Sequence, residues 1–172
     1  EEEVLSKPDV AMILSAHIPS LRADLGIRAM QHGKDYFCDK APFTTLEQAA
    51  AIRRTCQLTG RKYMVYYSER LHNEAALYAS RLIADGAIGE VGHIEGMGPH
   101  RLNRHTRPDW FFSRPLIGGI LTDIGSHQLE QLLCFAGCED ATIDCARVAN
   151  LHHPELGDFD DYGDLCVTAT NG

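Results

Sequence analysis

The chain has 172 residues and a formal net charge of −8. This length suits one domain, or one domain and part of a second, and its 44% hydrophobic residues are enough for a packed core. Acidic residues outnumber basic ones by 24 to 16, and no dense basic stripe occurs, which argues against a nucleic-acid partner. The sequence has no run of about 18 apolar residues and therefore predicts no membrane-spanning segment.

The six cysteines contain no Cys-x-x-Cys pair and do not reach the density of a disulfide-stabilised scaffold. We therefore expect reduced thiols and a reducing compartment, the cytoplasm; any export signal would lie upstream of Glu1. Both ends of the sequence are typical of an internal piece of a longer protein. The chain starts at Glu1 rather than methionine, and Asn171-Gly172 is a hairpin-turn dipeptide with no second strand after it.

The first third of the chain alternates between predicted strands and helices. Strands are predicted at 9–15, 36–39 and 62–67, with helices at 21–32 (Ser20 as N-cap, Gly33 after the end) and 45–59 (a capping box at the start, Gly60 at the end). This order, with short connections, predicts a parallel sheet with right-handed crossovers. Three strands are few for a doubly wound sheet, so we expect these strands to be the C-terminal part of a larger parallel sheet.

Ligands of open parallel sheets bind beyond the carboxyl ends of the strands. The residues of interest are therefore 15–17, 39–42 and 68–70, and each stretch contains polar or charged groups. Lys40 comes just after a buried strand, and Pro42 stiffens the turn that follows. The alternative interpretation of Lys40 is a solvated lysine in a loop.

The remainder of the chain has a different pattern. A helix is predicted at 73–84, strands at 90–95, 145–151 and 165–170, and a long irregular segment at 98–116 that contains the only tryptophan, Trp110. The aromatic residues of that segment argue against disorder and favour a functional loop. The fold class is therefore α/β plus α+β: residues 1–67 are part of an α/β domain with a parallel sheet, and residues 68–172 are an α+β domain with a mainly antiparallel open sheet.

The stretch Gly118–Gln128 opens a predicted helix that ends at Gly137. Asp123 and His127 are four residues apart and would share one face of this helix. An imidazole can take a proton from a hydroxyl, and a neighbouring carboxylate can orient it or hold a substrate. Gly125 costs a helix about 1 kcal/mol relative to alanine, which indicates a close approach to the backbone.

Two other interpretations of this pair stay open. An exposed i,i+4 pair on a helix surface is common and has no function. Alternatively, Asp123 and His127 could bind a metal together with His93, His100 or His105, as in a metal-dependent sugar hydrolase or isomerase.

Three stretches, in this order and spacing, resemble the Gfo/Idh/MocA family of glucose-fructose oxidoreductase, inositol dehydrogenase and rhizopine-catabolism proteins. They are YFCDKAPFTTLEQA at 36–49, LIADGAIGEV at 82–91 and GGILTDIGSHQ at 118–128. The resemblance implies an NAD(P)-dependent oxidoreductase acting on a sugar, cyclitol or related polyol. It also implies that residues 1–67 are the remnant of a dinucleotide-binding, Rossmann-like domain. A further implication is a homo-oligomer that assembles through the open sheet of the second domain.

The resemblance also assigns residues by position. The implied catalytic residues are Lys40, Asp123 and His127: His127 takes the hydroxyl proton, Lys40 stabilises the developing oxygen charge, and Asp123 positions the substrate. The implied cofactor contacts, to NAD or NADP, are Ser15, His17, Asp39, Lys40, Pro42 and Arg70. The substrate contacts are Trp110, Asp123 and His127, and no metal is implied.

The sequence departs from the family pattern in three places. It has Asp39-Lys40-Ala41-Pro42, with a shorter acid and a later proline, and Arg22 stands where the family has a histidine. The glycine-rich phosphate loop does not occur in these residues, so we expect residues 1–172 alone to bind NAD poorly. The remaining alternative is a family member that has lost activity and serves as a binding or assembly domain.

Overall fold

The computed structural model describes residues 1–171 and divides into two compact units. The first comprises Glu1–Tyr66 with Asp109–Gly118, and the second comprises Tyr67–Pro108 with the chain from Gly119 onward. The first unit contains α1 (Glu2–Leu5), β1 (Met12–Ser15), α2 (Pro19–Gln31), β2 (Asp35–Asp39), α3 (Leu46–Thr59), β3 (Tyr63–Tyr66), a 3-10 helix (Asp109–Phe112) and α6 (Arg114–Ile117). The second contains α4 (Ser68–Leu71), α5 (Glu74–Ala84), a 3-10 helix (Arg104–Thr106), a π-helix (Leu121–Gly125), α7 (Ser126–Ala136), β4 (Ala141–Ala149) and β5 (Tyr162–Ala169).

The predicted parallel sheet of the first unit is confirmed. Its strand order is β1-β2-β3, and both pairings are parallel. Ser15 lies opposite Cys38, and Asp39 lies opposite Tyr66, so the strands end along a common edge. The turns that follow β1 and β2 therefore emerge side by side, where open sheets place their ligands.

The core of the first unit lies between α2, α3 and β2. Tyr36 and Cys38 of β2 are fully buried and pack with Ala29 of α2, while Met30 of α2 packs with Ile52 of α3. Burial raises the pKa of Tyr36 to about 12, and burial also raises the pKa of the Cys38 thiol. Both side chains are therefore neutral at physiological pH.

Gly26 of α2 is the point of closest approach between helix and sheet. A Cβ added there would lie 2.4 Å from the ring of Tyr63 and 2.7 Å from the ring of Tyr36. The two rings are tilted by 49° to each other, with 4.9 Å between centroids, and both lie against the helix backbone at Gly26. Only glycine leaves room for this packing.

The start of α3 matches the prediction in part. Thr45 is the N-cap and accepts a hydrogen bond from the Gln48 backbone N–H at 3.2 Å. The Gln48 side chain accepts from the backbone N–H of Thr44 at 2.9 Å, one residue before the expected position. Gly60 ends the helix with φ +65°, as predicted.

The prediction of Ser20 as the N-cap of α2 is wrong. The helix begins at Pro19, and Ile18 is the N-cap residue without a side-chain cap. Proline is favoured at the first helical position because its φ is already helical and its missing N–H has no partner there in any case. Gly33 follows the end of α2 with φ +75°, as predicted.

The second unit contains the predicted antiparallel strands, β4 and β5, with an irregularity in register between Ile143 and Cys145. Asn73 caps α5 by accepting from the N–H groups of the two residues that follow Glu74. Gly137 ends α7 in the left-handed conformation, as predicted. The predicted strand at 90–95 is wrong: this segment is irregular, because a strand needs a hydrogen-bonding neighbour and none of the strands in residues 1–171 pairs with it.

The predicted turn at Asn171-Gly172 includes Gly172, which lies outside the described residues. The Asn171 side chain donates a hydrogen bond to the carbonyl of Ala136 at 2.7 Å, beside the end of α7. Within residues 1–171, every helix is too short or too polar to cross a bilayer.

Candidate active site

Arg22 of α2 organises the edge of the parallel sheet. Its Nε donates to the carbonyl of His17 at 2.6 Å. Its Nη1 donates to three successive carbonyls, those of Asp39 at 2.8 Å, Lys40, and Ala41 at 3.0 Å. The residue is 5% exposed, so these contacts are shielded from water. One buried guanidinium therefore holds the turn after β1 and the turn after β2 together.

Lys40 lies in a turn that is fixed on several sides. Its backbone N–H donates to Asp39 Oδ1 at 2.9 Å, and Asp39 Oδ2 lies 4.0 Å from Arg22 Nη2. The peptide bond after Lys40 is cis. The hydroxyl of Tyr63 donates to the carbonyl of Pro42 at 2.9 Å. The Asp39 carboxylate thus stabilises the turn that contains it, and the Lys40 side chain is half-buried at the sheet edge.

The turn after β1 has its own hydrogen bonds. The His17 backbone N–H donates to Ser15 Oγ at 3.2 Å, and the Ile18 N–H donates to His17 Nδ1 at 2.7 Å. Ser15 is half-buried, and His17 is exposed. Both side chains therefore lie at the edge predicted for cofactor contacts, in the same unit as Lys40 and Arg22.

Asp123 and His127 lie in the second unit, at a change of helix type. Leu121–Gly125, which contains Asp123, is a π-helix, and α7 starts at Ser126, so the predicted regular α-helix is interrupted between the two residues. Short π-helical segments frequently occur at functional sites. The side chain of His127 is only 4% exposed. A surface i,i+4 pair is therefore excluded as the interpretation of this histidine.

Gly125 marks the junction between the π-helix and α7. A Cβ there would meet Leu121 Cδ2 at 3.3 Å. This neighbour is the flexible end of a side chain in the same segment, so the glycine accommodates local packing.

The sequence did not reveal Glu69 of α4, which lies beside His127. Glu69 Oε1 is 3.8 Å from His127 Nε2 and 2.8 Å from His100 Nε2. Glu69 Oε2 accepts a hydrogen bond from Gln128 Nε2 at 3.2 Å. The ring of Tyr67 meets the His127 ring edge-on, with 5.9 Å between centroids. The only signal in the sequence is that Glu69 falls within the stretch 68–70 at the end of a predicted strand.

Arg70, a predicted cofactor contact, forms an ion pair within the second unit. Its Nε lies 2.7 and 2.9 Å from the two carboxylate oxygens of Glu130, and its Nη2 also contacts Glu130 Oε1. These hydrogen bonds raise the pKa of the Arg70 guanidinium. Two of its three nitrogens are therefore directed towards α7, which leaves Nη1 for any outside ligand.

Trp110, a predicted substrate contact, lies in the 3-10 helix Asp109–Phe112 of the first unit. Its ring packs on that of Phe111, with 6.2 Å between centroids. The predicted site residues are thus distributed over both units: Lys40 and Trp110 in the first, Asp123 and His127 in the second.

The alternative interpretation, a metal site at Asp123 and His127, requires a cluster of metal ligands. Among residues 1–171, no group of three or more His, Cys, Asp or Glu side chains is arranged to hold a metal ion. His93 is exposed and lies 3.4 Å from Glu95, and His105 is exposed in a 3-10 helix. His100 instead shares the carboxylate of Glu69.

Several known proteins are similar to this chain. A crystal structure of a candidate oxidoreductase from Erwinia carotovora atroseptica SCRI1043 is 44% identical, with a TM-score of 0.96 over 99% of this chain and 51% of that one. D-glucoside 3-dehydrogenase of Escherichia coli K12 is 31% identical over 76% of this chain and 36% of its own length. scyllo-Inositol 2-dehydrogenase (NADP(+)) IolW of Bacillus subtilis 168 is 23% identical over 95% of this chain and 46% of its own length.

Levoglucosan dehydrogenase, solved with NADH and levoglucosan, shares the fold at 22% identity, with a TM-score of 0.86 over 99% of this chain and 48% of that one. The chain therefore spans about a third to a half of the length of the relatives it matches. Residues 1–67 match the oxidoreductase family with an NAD-binding Rossmann fold, and residues 76–172 match the GFO/IDH/MocA C-terminal domain. The chain belongs to the Gfo/Idh/MocA family of oxidoreductases.

Proposed function

We propose that the complete protein is an NAD(P)-dependent oxidoreductase that transfers hydride between the nicotinamide ring and a sugar, cyclitol or related polyol. The observation that carries this proposal is the turn after β2, where Arg22 and Asp39 hold the backbone of Lys40 at the carboxyl edge of a parallel sheet. This turn lies in the part of the chain that matches the NAD-binding family. The named dehydrogenases among the relatives, which act on inositol, glucosides and levoglucosan, support a polyhydroxylated substrate.

The residues present fit a nicotinamide cofactor at the sheet edge. Ser15, His17 and Lys40 offer a hydroxyl, an imidazole and an ammonium at or just beyond the ends of neighbouring strands, and Pro42 is buried in the turn that contains Lys40. The Asp39 carboxylate accepts a hydrogen bond from the Lys40 N–H. We therefore propose that it supports cofactor binding by stabilising the conformation of the turn. The nicotinamide, when bound, supplies the hydride chemistry.

The proposed roles of the catalytic residues follow from their chemistry. His127 is a buried imidazole and takes the proton of the substrate hydroxyl. Lys40 places a positive charge at the oxygen that becomes negative during the reaction. Asp123 holds a substrate hydroxyl, and Trp110 offers an aromatic surface to the sugar ring. Arg70 is proposed to reach the cofactor through Nη1, because its other nitrogens bind Glu130.

We also propose a homo-oligomer that assembles through the sheet of β4 and β5. Most of the β4 side chains are exposed, among them the apolar side chain of Ile143, which is 64% exposed, and this exposure supports an interface on β4. We propose a domain boundary between residues 67 and 68. We place the protein in the cytoplasm, where the six free thiols would stay reduced.

The test is turnover by the complete protein. NAD or NADP is mixed with a panel of sugars, cyclitols and polyols, and formation of reduced nicotinamide is followed by absorbance. Lys40→Ala and His127→Ala should each lower kcat by about 10²- to 10⁴-fold without unfolding the protein. The matched controls are Lys62→Ala and His93→Ala, which alter exposed side chains and should retain activity. Unchanged turnover in either catalytic variant would refute the role assigned to it.

A further inference from the structure

Cys145 of β4 and Cys166 of β5 lie directly opposite each other in the antiparallel sheet of the second unit. The Cα atoms of opposed residues in such a sheet are about 4.5–5.5 Å apart, which is within the range of about 4.4–6.8 Å that disulfides span. Both residues are exposed, and both carry free thiols. The sheet therefore holds two accessible thiols at the separation that a disulfide bond requires.

The two thiols share one face of the sheet with a polar cluster, because opposed residues of neighbouring strands point to the same side. The register is irregular between Ile143 and Cys145, and this irregularity falls at Asp144. Asp144 Oδ2 accepts a hydrogen bond from the Thr168 hydroxyl at 2.7 Å, and Cys166 Sγ contacts the same oxygen at 4.0 Å. Desolvation raises the pKa of the Cys166 thiol, and the charges of Cys145 and Asp144 and a hydrogen bond with Cys145 raise it further. The Cys166 thiol therefore stays protonated at neutral pH.

A shared metal ion is the main alternative to a disulfide for two adjacent thiols. Such a site needs further ligands, and within residues 1–171 no group of three or more His, Cys, Asp or Glu side chains is arranged to hold a metal ion. The thiols of Cys38 and Cys56, in the first unit, contact a tyrosine hydroxyl and a methionine sulfur instead of another cysteine. The arrangement of Cys145 and Cys166 therefore favours a bond between their two sulfurs.

We propose that Cys145 and Cys166 are a modification site, at which hydrogen peroxide converts the two thiols into an intramolecular cross-strand disulfide. Peroxide transfers one oxygen atom to the Cys145 sulfur, which gives a sulfenic acid and one water. The Cys166 sulfur then attacks the Cys145 sulfur, and hydroxide leaves with the Cys166 proton as a second water. Two thiols are thereby oxidised, and one peroxide is reduced to two waters. This site is separate from the proposed dehydrogenase activity, and its test needs neither cofactor nor substrate.

The test uses the complete protein, which is reduced with dithiothreitol, freed of the reductant and treated with a small excess of hydrogen peroxide. Remaining thiols are alkylated, and the protein is cleaved on the amino side of aspartate without reduction. Cys145 is then released in a peptide that starts at Asp144, and Cys166 in a peptide that starts at Asp164. Mass spectrometry should show these two peptides joined and two hydrogens lighter than their sum, with loss of both alkylated forms. Dithiothreitol should restore both thiols, and the oxidised protein should run as a monomer on a non-reducing denaturing gel.

Single variants separate the two steps of the reaction. In Cys166→Ser the sulfenic acid of Cys145 lacks its resolving thiol, so dimedone, a reagent for sulfenic acids, should label Cys145 severalfold more than in wild type. Cys134→Ser is the matched control, because Cys134 is also exposed, and it should leave the cross-strand disulfide unchanged. Alkylation of both Cys145 and Cys166 after peroxide treatment would overturn the proposal. Oxidation of either sulfur to sulfinic acid without a disulfide, or a disulfide that joins two copies of the chain, would overturn it as well.

Discussion

Replacing Arg22 with methionine is a stringent test of the turn that carries Lys40. The substitution keeps an unbranched side chain in α2 and removes the donors to four backbone carbonyls. Hydrogen bonds to a charged group contribute about 1.5–3 kcal/mol each, but four bonds from one group are not additive, and burying the guanidinium has an opposing cost. We therefore expect the free energy of unfolding to fall by about 3–5 kcal/mol.

The assay is urea unfolding of the complete protein, followed by circular dichroism, together with steady-state kinetics. Arg22→Lys keeps the charge but cannot donate in several directions at once, so its stability and kcat should lie between those of wild type and Arg22→Met. Arg53→Met is the matched control, because Arg53 is exposed on α3, and it should change stability by less than about 0.5 kcal/mol. A loss of less than about 1 kcal/mol in Arg22→Met would refute the proposed role of Arg22 in holding the two turns together.

Three further predictions concern the packing and ionisation of the core. Gly26→Ala gains about 1 kcal/mol of helix propensity, but its Cβ would lie 2.4 Å from a buried tyrosine ring, and such overpacking costs about 1–3 kcal/mol or more. Its melting temperature should fall below that of the matched Gly125→Ala, whose Cβ would come no closer than 3.3 Å to another atom, the flexible end of a leucine; the reverse order would contradict the packing. Burial raises the pKa of Tyr36 to about 12 in the folded protein, above its ordinary value of about 10. Its contribution to the free energy of unfolding is therefore complete below about pH 10 and is lost as the pH rises towards 12. Tyr36→Phe should therefore flatten the loss of melting temperature at alkaline pH, and identical slopes would show that this ionisation is not involved. Burial and the raised pKa of Cys38 should protect its thiol from iodoacetamide until the protein unfolds, whereas exposed Cys134 should react at once; equal labelling in peptide mass maps would contradict this.

The sequence predicted the parallel sheet because its signals are local. The apolar runs of β1 to β3, the Thr45 cap and the terminating Gly60 each act within a few residues of their own position. Ser20 was misplaced because two local signals competed, and proline at the first helical position prevailed over a serine cap.

The residues missed by the sequence depend on tertiary contacts. Arg22 lies in an amphipathic helix, where an arginine is usually exposed, and its role is visible only when the turns after β1 and β2 meet it. Glu69 and His127 are 58 residues apart, and no spacing rule connects them. The strand predicted at 90–95 failed for a similar reason, since alternation of polar and apolar residues does not supply a neighbouring strand.

The most direct test of the central claim is whether hydrogen passes from the substrate carbon to the nicotinamide ring. The complete protein is incubated with NAD or NADP and with the polyol that supports turnover, deuterated at the carbon that bears the reacting hydroxyl. The reduced cofactor is then analysed by mass spectrometry. Direct hydride transfer predicts one deuterium in each reduced nicotinamide and a slower reaction than with the unlabelled polyol. Reduced cofactor without deuterium, or conversion of the polyol with neither NAD nor NADP present, would contradict the assignment.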